Sequence, residues 1–301
     1  MKLEVLLGGF SVLLSKPWVD EGIASASAPE PGSAYWRLRD PKVPRHIAHQ
    51  PGCEKRISEG LARAGVPVRD YAIDVADYRL YLGDARYRID YPDYYPSVLS
   101  EKSLEHYVAA KLLRLLPGDV YVDIASEHSP APDIYRRLFG VRAYRQDMAY
   151  PSGRNGDRIG GSATEVALPD GFVTKMALHC SFEHFEREAD IEFLREVERL
   201  LKPGGAVVIV PLYLAEEYGI LTDPEVAVRE NVPFENGVTL YAFTQWNNRH
   251  GRFYDPAHFA LRLHENRGGL ELTVYRLLNF QEVDPSCYAR FALLLQKPDL
   301  R

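Results

Sequence analysis

Within six positions the chain places His179, Cys180, Glu183 and His184, a string of imidazole, thiol and carboxylate groups in "HCSFEHF". Such groups can ligate a divalent ion or move protons. The spacing is not that of the His-Glu-x-x-His or His-x-x-Glu-His metalloproteases, so no metal is expected, and His184 can equally hold a helix start. For proton transfer from a hydroxyl, an imidazole with an ordinary pKa near about 6.5 is well suited. His179 is the first candidate base and His184 the second. Two further acids stand out, Asp123 after the apolar run Val120 to Val122 and Asp147 at the end of the next expected strand.

The elements that would position these groups alternate. Strands are expected over 119 to 124, 141 to 146, near 172 to 178 and over 206 to 211. Helices are expected over 132 to 139 and 189 to 201, the second stopped by Pro203-Gly204-Gly205. Strand and helix in turn imply a parallel sheet covered on both faces, and ligands of such sheets sit beyond the carboxyl ends of the strands. Asp123, Asp147 and His179 would share that rim. Ahead of it, "SEKSLEHYVAAKLLRLL" carries Leu104, Val108, Leu112 and Leu115 at helical spacing, with Ser100 as its expected cap. "LELTVYRLL" and "YARFALLLQK" predict a closing antiparallel edge hairpin.

The remainder is less regular. Residues 54 to 64 predict a short helix with Ile57, Leu61 and Ala64 on one face. Eight of the 19 tyrosines lie between Tyr71 and Tyr107, a composition suited to a packed cap whose rings keep a polar tip. From Lys16 to Cys53 the Pro, Ser, Ala and Gly content predicts surface loops. The apolar run near the N-terminus is too short for a bilayer, and no small-residue cleavage site closes it, so a signal peptide is not expected.

With 301 residues, of which 46% are hydrophobic, the chain can bury a full core. A net charge of -6 argues against a general affinity for nucleic acid or anionic membrane. Three scattered cysteines, Cys53, Cys180 and Cys287, fit a reducing compartment, and a cytoplasmic location is the expectation.

"LPDGFVTKMALHCSFEHF", "LREVERLLKPGG" and the closing strand pair together resemble the class I S-adenosylmethionine-dependent methyltransferases over roughly residues 100 to 297, with "RLLKPGG" the most specific string. The resemblance implies a Rossmann-like, doubly wound, mostly parallel sheet with a C-terminal antiparallel hairpin. Residues 100–301 would be the methyltransferase-like domain and 1–99 an N-terminal extension or cap. It also implies S-adenosylmethionine as cofactor. Asp123, Ala125, Ser126 and Glu127 would border its methionine part, Asp147 would take the ribose hydroxyls, Ser162 and Ala163 would lie beside the adenine, and Leu178 and His179 would floor the methyl group. Tyr94, Tyr95 and Glu101 would form a lid. The segment with Trp246, Asn247, Asn248, Arg249, His250 and Tyr254 would meet the acceptor.

The expected activity is methyl transfer, to oxygen of a small or glycan-like acceptor. The alternative is a repurposed member of the fold that binds a ligand or partner without catalysis. Two departures from the family pattern bear on this choice. The first turn, "DIASEHSP", has none of the usual glycines, and "MAYPSGRNGDRIGGSATEVA" has Pro, Gly and Asn where the family has a helix. Arg154 and Arg158 in that stretch suit a phosphorylated or carboxylated ligand, or simply a solvated surface. The lack of Gly-x-Gly-x-x-Gly argues against a dehydrogenase.

Overall fold

A computed structural model describes residues 52–235, 238–243 and 246–299; the loops expected before Cys53 and the apolar N-terminal run lie outside them. The chain forms two compact units. The larger comprises Val66–Phe182, Ile191–Leu212 and the residues from Leu263 onward; the smaller comprises those up to Gly65, Glu183–Asp190 and Tyr213–Arg262.

In the larger unit the strands are β1 (Val68–Tyr71), β2 (Val120–Ile124), β3 (Arg142–Asn155), β4 (Arg158–Gly160), β5 (Val173–His179) and β6 (Leu201–Val210). The chain order continues after the smaller unit's β7 (Gly219–Thr222), β8 (Thr239–Ala242) and β9 (Gly251–Phe253), with β10 (Glu271–Leu277) and β11 (Phe291–Gln296). The helices used below are α1 (Cys53–Arg63), α2 (Val75–Ala85), α3 (Leu99–Leu113), α4 (Ala131–Phe139) and α5 (Ala189–Leu200).

Eight strands form one sheet in the order β1-β10-β11-β6-β5-β2-β3-β4. The β2–β3, β2–β5 and β5–β6 pairs are parallel, whereas β11 runs antiparallel to both β6 and β10. This is a Rossmann-like, mostly parallel sheet with a C-terminal antiparallel pair. All five residues of β2, "VYVDI", are buried, as a central parallel strand requires. From β2 the chain moves through α4 to β3 on one side and later returns to β5 on the other. The crevice between the carboxyl ends of β2 and β5 is therefore the point where strand order reverses, where ligands of open α/β sheets bind.

Three features differ from the sequence expectation. The closing pair is not at the sheet's edge, because β1 pairs parallel with β10, Val68 opposite Val274; "VRDY" is too short and polar to announce a strand. Ser100 does not cap α3, which starts one residue earlier without a side-chain cap; its hydroxyl bonds Asp284 at 3.1 Å, a tertiary partner replacing the local one. Finally, β3 runs well beyond residue 146. It pairs parallel with β4 over Arg145 to Asp147, and then its register reverses, from Ser152 opposite Gly160 to Asn155 opposite Arg158. A hairpin stands where the resemblance implied a helix. Gly160 makes that approach possible: a Cβ there would stand 2.0 Å from the Pro151 carbonyl oxygen.

The smaller unit holds a three-stranded sheet, β7 parallel to β8 and antiparallel to β9. Its ionic centre is Arg252 on β9, fully buried, which pairs with Asp190 at 2.9 Å and with Glu235. Arg262 reaches the other Asp190 oxygen at 2.7 Å. Buried charges are tolerable only when paired in this way. No helix among the described residues is long and apolar enough to cross a membrane.

Candidate active site

The turn after β2 carries its geometry without glycine. Ala125 has φ +54°, in the left-handed region that favours glycine and costs other residues about 1–2 kcal/mol. Cys180, which follows β5, has φ +50°. Thus the two residues that leave adjacent strand ends at the switch point are both in the left-handed region. Such strain gathers where surrounding structure over-determines the backbone.

Here the surrounding structure is the bend inside β3. Gln146, 1% exposed, accepts from the Ala125 amide through Oε1 at 3.3 Å and donates from Nε2 to the Gly161 carbonyl at 2.6 Å. Its own carbonyl accepts from Ser126 N at 3.0 Å. Asp147 accepts from Glu127 N through Oδ2 at 3.0 Å and from Ala149 N through Oδ1 at 2.8 Å. Tyr150 donates to the Glu127 carbonyl at 3.1 Å. Asp147 is half-buried at the bend of β3, and each carboxylate oxygen keeps a lone pair for another donor.

Below the turn lies a buried polar cluster. Tyr121 donates to Asp123 Oδ1 at 2.7 Å, and His179 Nε2 stands 3.4 Å from the same oxygen. Burial raises the Asp123 carboxyl to about 7, opposed by the nearby Ser129 and Tyr121 hydroxyls. Burial and then the Lys102 charge lower His179 to about 3. His179 is therefore neutral near pH 7, and Asp123 is the member of the pair that titrates there. The His179 ring packs edge-on against His106, centroids 4.5 Å apart. His106 is fully buried, with Nδ1 2.7 Å from the Tyr87 hydroxyl and Nε2 3.2 Å from that of Tyr94.

Four buried side-chain atoms at this rim have no hydrogen-bond partner among the described residues: Asp123 Oδ2, Ser126 Oγ, His179 Nδ1 and Ser181 Oγ. They follow or end β2 and β5. Ser129 lies near the Asp123 carboxylate without closing a bond to Oδ2. Leaving such groups unpaired costs about 1–3 kcal/mol each, so their concentration at one strand-end crevice marks a place built for a polar ligand.

The other expected residues divide. Leu178 is fully buried beside Asp123 and His179, while Ala163 is buried next to exposed Ser162. The Ser162 hydroxyl bonds Thr164 at 2.8 Å. Glu127 is exposed and paired with His128 at 3.4 Å. Of the expected lid, Tyr94 joins the His106 cluster and packs on Tyr95, but Glu101 is buried and accepts from the Tyr288 and Ala289 amides at 2.8 and 3.4 Å. It anchors backbone.

His184 belongs to the smaller unit. Its Nδ1 donates to the His250 carbonyl and, in turn, His250 Nδ1 donates to the Glu183 carbonyl at 3.0 Å. A carbonyl only accepts, so Nδ1 of His184 carries the proton and Nε2 the lone pair. Trp246 packs between Phe243 and His184, both at 6.0 Å. Arg249 pairs with Glu186 and Glu230. Much of the segment expected to meet an acceptor is thus engaged in packing. Among the described residues, no group of three or more His, Cys, Asp or Glu is arranged to hold a metal ion.

Sequence reasoning missed Gln146, Tyr121, His106 and Lys102. Gln146 adjoins the expected ribose acid, and its place at a strand end was the available signal. His106 and Lys102 look like ordinary helix-surface residues until α3 is seen to be buried from Glu101 to Ala110.

Fold and crevice define an open, doubly wound α/β protein with unpaired polar atoms at its switch point. The family model for a methyltransferase domain matches residues 129–209. Solved structures with a similar fold include a Burkholderia thailandensis 1,6-didemethyltoxoflavin-N1-methyltransferase, at 13% identity and TM-score 0.47, covering 77% of this chain and 94% of that one. Another is the YcgJ protein of Bacillus subtilis, at 13% identity and TM-score 0.42, covering 65% and 99%. A third is an Aquifex aeolicus S-adenosylmethionine-dependent methyltransferase, at 13% identity and TM-score 0.37, covering 74% and 97%. No curated protein sequence matches.

Proposed function

We propose that the chain is an S-adenosylmethionine-dependent methyltransferase that methylates an oxygen of a small or glycan-like acceptor. The observation that carries the cofactor site is the set of four partnerless buried polar atoms at the β2–β5 crevice. When bound there, the cofactor supplies an electrophilic methyl group. Asp123, Ala125, Ser126 and Glu127 hold its amino-acid end. Asp147 accepts from the ribose hydroxyls while keeping its two backbone amides, and Ser162 and Ala163 flank the adenine. Leu178 and the neutral His179 floor the methyl position, where an uncharged ring avoids repelling the sulfonium. His179 and His184 are the proposed bases for a hydroxyl acceptor, and burial weakens His179 in that role. Positioning for in-line attack supplies much of the rate in either case.

Calorimetry of the purified protein with S-adenosylmethionine and S-adenosylhomocysteine tests this reading. Micromolar binding is expected, and no binding up to millimolar ligand would overturn it. Asp147→Ala should weaken binding about tenfold through the loss of charge-assisted bonds. A bound cofactor with no transfer to any hydroxylated acceptor would favour the repurposed, ligand-binding alternative.

A further inference from the structure

At the amino ends of β3 and β5, away from the crevice at the strands' carboxyl ends, two exposed arginines lie on aromatic rings. Arg142 opens β3, and Phe172 immediately precedes β5. The Arg142 guanidinium stands 5.8 Å from the centre of the Phe172 ring. Arg154 reaches the same ring from the second arm of β3, at 5.4 Å, and covers Tyr144 at 4.8 Å. Tyr144 meets Phe172 edge-on, centroids 5.7 Å apart, and its hydroxyl accepts from Arg154 Nη2 at 3.1 Å. Ring contacts of this kind hold a guanidinium in place while leaving its in-plane donors open.

Stacked cations elsewhere in the chain are also paired with an acid: Lys111 on Tyr107 with Asp77 at 2.6 Å, and Arg252 on Tyr254 with Asp190 at 2.9 Å. Among the described residues, neither Arg142 nor Arg154 has a carboxylate within ion-pair distance. Nearby acids are committed to other partners, Asp157 to Arg136 and Arg145 and Asp170 to Arg199. Arg154 donates to Tyr144 and Gly156, and the Arg142 side chain makes no hydrogen bond among the described residues, so most donors of both forks are open. Arg158, on the Tyr150 ring at 5.3 Å, adds positive charge to the same edge of the sheet.

We propose that Arg142 and Arg154 bind the phosphate of a small molecule, at a site separate from the proposed cofactor crevice. A phosphate dianion balances two guanidiniums that border one ring, and charge-assisted bonds to its oxygens are the stronger kind. A single carboxylate balances only one of them. The net charge of -6 opposes a long polyanion, so the ligand is a small phosphate ester or diphosphate. Because the rings already hold the guanidiniums, binding loses little to ordering them.

Calorimetry at constant ionic strength with inorganic phosphate, pyrophosphate and succinate tests the site. The proteins are wild type, Arg142→Gln, Arg154→Gln and two controls: Arg79→Gln, an exposed arginine on α2, and Ser126→Ala in the crevice. Wild type should bind phosphate or pyrophosphate with a Kd below about 1 mM, and each site variant should weaken that binding about tenfold or more while both controls stay within about twofold. Succinate should bind wild type about tenfold more weakly than the better phosphate probe. Tighter binding of phosphate assigns an ester, and tighter binding of pyrophosphate a diphosphate. Arg142→Gln removes no hydrogen bond among the described residues, so its result decides the matter if Arg154→Gln melts early. The site is overturned if neither phosphate probe binds wild type up to about 10 mM, if Arg142→Gln keeps wild-type affinity, if succinate binds as tightly, or if a control loses as much as the site variants.

Discussion

Replacing Ala125 with glycine should stabilise the protein, the reverse of what removing a methyl group usually does. Ala125 is exposed and has φ +54°, so its Cβ contributes little burial and suffers the left-handed clash, about 1–2 kcal/mol. Glycine relieves that clash but adds freedom to the unfolded chain, which returns about 0.4–1 kcal/mol. The net expectation for Ala125→Gly is a gain of about 0.5–1 kcal/mol, or a rise in Tm of roughly 1–3 °C for a chain of this size. The Gln146 side-chain bond to the residue 125 amide persists, since on residue 125 it involves only the backbone. Urea and thermal denaturation followed by circular dichroism would read the effect. Ala109→Gly, in the interior of α3 with ordinary helical geometry, is the control and should lose about 1 kcal/mol. If Ala125→Gly is destabilised as much as this control, the account of the turn as a strained glycine position is wrong.

Gln146→Leu should cost about 2–4 kcal/mol in urea denaturation, because the Ala125 amide and the Gly161 carbonyl both lose a buried partner; a change below about 0.5 kcal/mol would show that water replaces both bonds. The pH dependence follows from Asp123. Burial raises its carboxyl from 3.8 to about 7, so the folded state holds this proton more tightly than the unfolded chain. The resulting stability is fully present below pH about 4 and lost as pH rises through about 7. Asp123→Asn should therefore flatten the stability profile across that window and be more stable than wild type near pH 8, and an unchanged slope would assign the dependence to other groups. The same variant should weaken S-adenosylhomocysteine binding.

Much of the architecture was legible because buried parallel strands announce themselves. "VYVDI" and "VTKMALH" are apolar runs ended by polar residues, and helices α4 and α5 fall within a residue of their expected bounds. The failures have local causes. The β3–β4 hairpin was hidden because its second arm, "SGRN", has turn composition and becomes a strand only by pairing with Arg158–Gly160. Ser100 has the chemistry of a cap, but Asp284, 184 residues away, outcompetes the helix for its hydroxyl. Asp123, Asp147 and His179 were expected on one rim from strand order alone; β2 and β5 carry Asp123 and His179 at or near their carboxyl ends, whereas Asp147 stands at the bend inside β3. The buried groups around them escaped notice because Lys102 and His106 lie on a helix that is buried from Glu101 to Ala110.

The glycine-free turn also becomes intelligible energetically. Its left-handed alanine costs about 1–2 kcal/mol. Against this, four bonds tie the turn to β3 and the residues after its bend: Ala125 N and Ser126 N to Gln146, Glu127 N to Asp147, and Tyr150 to the Glu127 carbonyl. At roughly 0.5–1.5 kcal/mol each, they contribute about 2–6 kcal/mol, enough to hold the conformation without glycine. Glycine would provide the same path more cheaply but also more loosely. Here the residue proposed for the ribose, Asp147, is one of those that fix the turn proposed for the methionine end, so the two halves of the cofactor site are set by one strand end. A ligand entering it would meet a preformed backbone, and binding would lose little to ordering the turn.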